Sequence, residues 1–185
     1  MTYQNWLIRF FLLAIAGAAA DIYTKDFISG KLPDEERVPA AILEKEVVPG
    51  YLSLLTNSPL NKGALFSLGD SYKEVANWVF ISISGLAVLG IVIWALWPHS
   101  HRKWIYLLTV SLILAGAFGN CFDRVVYGGV RDWIWFYIRN AEGKYVFSWP
   151  VFNLADCYLV GGAILLVIHG LFFSPKPAPL SSGKV

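Results

Sequence analysis

A chain of 185 residues is long enough for one domain and short for two. Only 15% of it is charged, against about 25% in an ordinary soluble domain, and 56% is hydrophobic. A soluble fold of this size cannot cover that much apolar surface, so the excess faces lipid. The same figures exclude a disordered chain, and a net charge of +2 is too small to point to nucleic acid.

A bilayer core about 30 Å thick needs roughly 20 apolar residues in a helix. Four stretches qualify, at about 6–27, 75–98, 104–122 and 150–173. Backbone groups in hydrocarbon must bond within their own segment, so the expected fold is an all-α membrane protein of four transmembrane helices. A cleaved signal peptide ending at Ala18-Ala19-Ala20 competes for the first stretch. Its only early basic residue, Arg9, is embedded among apolar neighbours, which favours an uncleaved helix.

Between these spans lie the outer segments 28–74 and 123–149. In the first, apolar runs at 40–48 and 51–56 flank Pro49-Gly50, a turn signal that predicts two paired strands. The second is rich in Trp, Tyr and Phe, rings that prefer the headgroup region, and is expected to lie along the membrane. The 174–185 tail, with three Pro and three Ser, reads as disordered. Four spans put both termini on one side. That side carries five Lys/Arg in 27 residues against nine in the 73 residues of 28–74 and 123–148, a density that places the termini in the cytoplasm.

Ionisable groups in or beside a membrane span are costly and need a reason. Asp21 and Lys25 are four apart and can pair along the first helix. Asn120 and Asp123 share a face at the outer end of the third helix, with Arg124 next, and suit a network that ties down loops. Asn153 and Asp156 repeat that spacing at the outer end of the fourth. Asp132 lies in the aromatic segment at the same depth, so Asp132 and Asp156 can meet. Two carboxyls close together share one proton over a wide pH range. The ionised member can take a proton from water while the neutral one polarises a carbonyl, which is the requirement of amide hydrolysis. Cys121 and Cys157 have no nearby His in sequence, and no ligand cluster calls for a metal or other cofactor.

Four motifs resemble one family. Asp21-Ile22-Tyr23-Thr24-Lys25, Asn61-Lys62-Gly63-Ala64-Leu65-Phe66-Ser67, Gly119-Asn120-Cys121-Phe122-Asp123-Arg124 followed by Asp132, and Phe152-Asn153-Leu154-Ala155-Asp156 occur in order across about residues 6–173. In these the chain resembles lipoprotein signal peptidase (signal peptidase II), an aspartic membrane peptidase of bacteria. The resemblance implies that Asp132 and Asp156 are the catalytic pair. It implies supporting or substrate-binding roles for Asp21, Lys25, Asn61, Gly63, Asn120, Asp123, Arg124 and Asn153. The implied substrate is a diacylglyceryl-prolipoprotein cut before its lipidated Cys, by a single membrane domain, monomeric, in the inner membrane with its site at the outer face. A small sheet and a short helix above the membrane are also implied, within about residues 30–72. Arg131, directly before Asp132, departs from the pattern and is expected to favour the ionised carboxylate. The competing readings are a small transporter or proton relay, predicting solute flux, and a scaffold that tolerates Asn at both 132 and 156.

Overall fold

The computed structural model describes residues 2–29, 43–56, 58–63, 70–97 and 104–173. The order of elements is α1 (Tyr3–Thr24), β1 (Leu43–Val48), β2 (Leu52–Thr56), α2 (Asp70–Leu96), α3 (Trp104–Tyr127), β3 (Ile134–Arg139), β4 (Tyr145–Ser148) and α4 (Leu154–Phe173). Four helices are long and apolar enough to cross a membrane: Tyr3–Ile28, Glu74–Leu96, Trp104–Tyr127 and Leu154–Phe172. The tail at 174–185 and the stretch at 30–42 lie outside the described residues, as do Ala64 to Ser67 of the second motif.

α3 is the central helix. On α1, Trp6, Phe10, Ala14 and Ala18 recur every four residues and form one buried face, while Ile8, Leu12 and Ile15 remain exposed, as lipid-facing residues are. At the N-terminal end of α1, Trp6 and Phe10 stack with centroids 5.3 Å apart and join Ala95 of α2 with Leu107 and Leu114 of α3 in one core. The helix runs unbroken through Ala18-Ala19-Ala20. Toward its other end, small residues set the spacing. A Cβ on Gly116 would lie 2.4 Å from the Ala155 carbonyl oxygen of α4, and one on Gly119 would lie 2.3 Å from Asp21 Oδ2. α3 therefore touches α1 and α4 closely enough for polar side chains to bridge them.

Element boundaries differ from the sequence expectation, beginning with α1 at Tyr3 and α2 at Asp70, ahead of the expected 6 and 75. α3 continues five residues past Phe122, because Asp123 is neutralised inside the protein instead of marking a loop. α4 begins at Leu154 and not at Pro150, because Phe152 is engaged in a bridge with Ile134. The aromatic segment is a β-hairpin, β3 and β4, joined to the expected β1–β2 pair in a four-stranded antiparallel sheet of order β1-β2-β3-β4. The sheet thus draws on both outer segments, with Leu52 opposite Phe136 and Leu54 opposite Ile134. Gly50, at φ 79°, makes the β1–β2 turn, where its N–H donates to Glu46 Oε1 at 2.8 Å.

Candidate active site

Residues 130–133 form an extended link between α3 and β3, and nearly every peptide group in it is pinned. Val130 exchanges two backbone hydrogen bonds with Asn61, at 2.8 and 2.9 Å. The Arg131 N–H donates to Asp123 Oδ2 at 3.0 Å, and the Trp133 N–H to the Phe152 carbonyl at 3.0 Å. The Asp132 carbonyl accepts from the Ser58 hydroxyl. Asp132 is thereby fixed between the loop before α2 and the start of α4.

Asp156 is fixed by the helix that carries it. Asn153 caps α4: its Oδ1 accepts the Asp156 N–H at 3.0 Å, and its own N–H donates to Asp156 Oδ2 at 3.1 Å. This reciprocal arrangement is a capping box, and it explains the three-residue spacing seen in the sequence. The next free amide of α4, at Ala155, donates to Asp21 Oδ1 of α1 at 2.8 Å.

Two asparagines join the carboxyls. Asn153 Nδ2 donates to Asp132 Oδ1 at 2.7 Å and to Asn120 Oδ1 at 3.1 Å. Asn120 Nδ2 donates to Asp156 Oδ1 at 2.8 Å. Asn61 Nδ2 completes the set with a bond to Asp132 Oδ2 at 2.9 Å. All three amides have a fixed orientation. Lys25 Nζ donates to Asn120 Oδ1 at 3.0 Å, the Gly63 N–H to Asn61 Oδ1 at 2.9 Å, and Asp156 occupies Asn153 Oδ1. Each of the four carboxyl oxygens therefore receives one N–H and keeps lone-pair capacity for a water or a shared proton.

The Asp132 side chain is buried, and loss of hydration pushes its carboxyl up to about 6. The Asn61 bond opposes that rise, the charge of Asp156 adds to it, and the Asn153 bond and Lys25 oppose it. Arg131 does not supply the cation expected from its position. Its guanidinium turns away, to Asp123 Oδ1 at 2.7 Å and Asp26 Oδ1 at 2.6 Å, over the Tyr127 ring.

Beneath the pair lies a buried ion network. Lys25 Nζ is 2.8 Å from Asp21 Oδ2 and 3.4 Å from Asp123 Oδ2, all three side chains fully buried. Of the ten residues singled out by sequence, Asp132, Asp156, Asn61, Asn120 and Asn153 form the amide-carboxyl cluster. Asp21, Lys25 and Asp123 form the ion network. Gly63, at φ 100°, holds Asn61 through its N–H, and a Cβ there would lie 2.5 Å from Phe80 Cε2. Arg124 contacts neither carboxyl by hydrogen bond: it donates to the Asn120 carbonyl at 3.4 Å and lies over Phe80. Asp26, Ser58 and the pairing of Arg131 escaped sequence reasoning. The Lys25–Ser29 turn is π-helical, so the simple 3.6-residue period does not place Asp26.

Residues 13–172 match the family model described as signal peptidase (SPase) II. The lipoprotein signal peptidase of Chlorobaculum parvum is 32% identical over 173 residues, covering 92% of this chain and 100% of that protein. That of Xylella fastidiosa (strain M12) is 35% identical over 178 residues, 95% of this chain and 96% of the relative. A solved bacterial membrane enzyme, determined by the in meso method at 1.9 Å resolution, superposes with a TM-score of 0.67 at 26% identity, over 89% of this chain and 94% of its own. Sequence motifs, four membrane-length helices and the small outer sheet converge: the chain belongs to the signal peptidase II family of bacterial lipoprotein signal peptidases.

Proposed function

We propose that this protein removes signal peptides from diacylglyceryl-prolipoproteins by aspartate-activated hydrolysis, cutting the peptide bond before the lipidated Cys. The observation that carries the reading is the amide bridge Asp132–Asn153–Asn120–Asp156, which links two carboxyls from distant parts of the chain in one hydrogen-bonded cluster. No side-chain nucleophile is required. The ionised carboxylate takes a proton from a water whose oxygen attacks the scissile carbonyl. The protonated carboxyl donates to that carbonyl oxygen as it gains negative charge. Collapse of the tetrahedral intermediate breaks the C–N bond, and the leaving amine receives the proton taken from water. The fixed asparagine amides keep both acids oriented through these transfers without adding a competing charge.

The fold suits the substrate. Asp156 stands in the first turn of a membrane-length helix, so the bond to be cut lies at the edge of the bilayer. Lipid tails can remain between helices while the polypeptide crosses the sheet side. The density of Lys and Arg at the termini supports a site at the outer face of the inner membrane with both ends cytoplasmic. The protein acts as a single membrane domain and as a monomer, with Asp21, Lys25, Asn61, Gly63, Asn120, Asp123, Arg124 and Asn153 supporting the pair.

A gel-shift cleavage assay on diacylated and unlipidated prolipoprotein tests this. Asp132→Asn and Asp156→Asn each lower kcat by at least about 10³-fold, by removing the acid or base step, while the variants remain folded in the membrane. Full activity of Asp156→Asn rejects the aspartate mechanism, and cleavage indifferent to the lipid rejects the substrate.

A further inference from the structure

A cavity of 390 Å³ lies between the start of α2 and the end of α3, with Lys62, Glu74, Asn77, Trp78, Arg124 and Val125 in its wall. Its wall is linked to the aspartate site through Arg124, which is one helical turn from Asn120 and bonds its carbonyl. Two polar atoms of this wall are buried with no hydrogen-bond partner among the described residues: Asn77 Oδ1 and Arg124 Nε. Asn77 is only 8% exposed, and its amide nitrogen already donates to the Arg124 carbonyl at 3.4 Å, so the oxygen is the end left over. Arg124 is itself held by Phe80, 4.9 Å from the ring centroid, and by the Asn120 carbonyl. A buried acceptor and a buried donor on neighbouring residues, both desolvated and both unused, are costly unless a ligand completes them.

We propose that Asn77 and Arg124 form a two-point subsite for the backbone of the substrate, receiving the N–H and C=O of one extended residue on the signal-peptide side of the scissile bond. In an extended chain the N–H and C=O of one residue point the same way, matching one acceptor beside one donor. A phosphate would offer acceptors and leave the Asn77 oxygen unpaired, and Glu74 would oppose it. Depth chooses the side of the bond. Glu74 opens the α2 span, Asn77 and Trp78 follow a turn further in, and Arg124 lies in the last turn of the α3 span. A segment rising out of the bilayer toward Asp132 and Asp156 passes this wall. The subsite rests on the aspartate reading above, and its test separates the two.

Lipidated synthetic substrates, each with one amide before the lipidated Cys replaced by an ester, remove a single N–H at a time. In the full-length wild-type enzyme one such ester raises KM about tenfold with little change in kcat, the loss expected for one buried hydrogen bond. Asn77→Leu raises KM by a similar factor for the all-amide substrate and is insensitive to that ester. A flat ester scan in the wild-type enzyme overturns the subsite and needs no variant. So does an ester effect that persists in folded Asn77→Leu. Retained activity of Asp156→Asn in the same assay overturns the aspartate mechanism instead.

Discussion

Two groups of acids lie side by side in this protein and are treated in opposite ways. Asp21, Asp123 and Asp26 are held by cations, Lys25 and Arg131, at 2.6 to 3.4 Å. Asp132 and Asp156 receive only neutral N–H donors, from Asn61, Asn120 and Asn153. A cation in direct contact holds a buried carboxylate in place by charge. An amide orients the carboxyl without placing a positive charge against it, and at Asp132 burial then raises the proton affinity. The difference separates acids that hold helices together from the acids proposed for the chemistry. Lys25 joins the groups, with its ammonium on the ion network and its third contact on the amide that faces Asp156.

The largest way to break this contrast, after the aspartates themselves, is Lys25→Met. It leaves Asp21 and Asp123 buried without their shared cation and takes from Asn120 Oδ1 one of its two donors, leaving only Asn153 Nδ2. Removing one partner of a buried ion pair costs about 3–5 kcal/mol, and the expected result is a matching loss of unfolding stability in detergent together with lost activity. Adding Asp21→Asn, which removes one orphaned charge and retains an acceptor for the Ala155 N–H, recovers part of the stability. An unchanged unfolding transition in Lys25→Met would show that the network contributes nothing to the fold.

A smaller effect distinguishes the other group. Burial holds the folded-state Asp132 carboxyl at about 6, above its ordinary value of 3.8. A group raised in this way contributes stability that is fully present below about pH 4 and is lost as pH rises through 6, because the native state binds a proton the unfolded chain has released. The difference is worth about 3 kcal/mol at most. Asp132→Asn cannot ionise, so its stability relative to wild type increases from pH 4 to pH 8. Parallel stability curves for the two proteins over that range would remove the argument that burial strains Asp132.

Much of this arrangement was legible in the sequence, for physical reasons that differ by residue. Acids beside apolar stretches stand out because hydrocarbon penalises them, and the i,i+3 and i,i+4 spacings of Asn153/Asp156 and Asp21/Lys25 reflect one helix face. Helix ends were harder. Hydropathy marks the limits of the lipid-compatible stretch, so the third span is read as ending at Phe122 although α3 runs on through Asp123 and Arg124 to Tyr127. The strand Ile134–Arg139 has the aromatic and branched residues of a β-strand, but an interfacial aromatic belt has the same composition. Its pairing with β2, more than 80 residues earlier in the chain, is a tertiary fact that no local pattern contains. The direction of the Arg131 side chain was equally hidden. A position next to Asp132 suggests an ion pair with it, and only the fold puts Asp123 and Asp26 on the other side.

The finest test of the contrast is Asn61→Ala. Asn61 stands outside the ion network, yet its hydrogen bond is the strongest influence holding the Asp132 carboxyl down against burial. Losing a donor to the ionised form favours the protonated form, so the Asp132 carboxyl rises further, above about 6. The limb of the kcat/KM profile that reports loss of the shared proton moves to higher pH in consequence. Activity falls about tenfold, the worth of one charge-assisted hydrogen bond. Stability changes less than activity, because Lys25 and Arg131 keep their acidic partners and the bonds lost to Asp132 and to the Gly63 N–H lie outside the ion network. An Asn61→Ala enzyme whose pH limb stays in place while its unfolding temperature drops would assign Asn61 to the scaffold and leave proton affinity at Asp132 to burial alone.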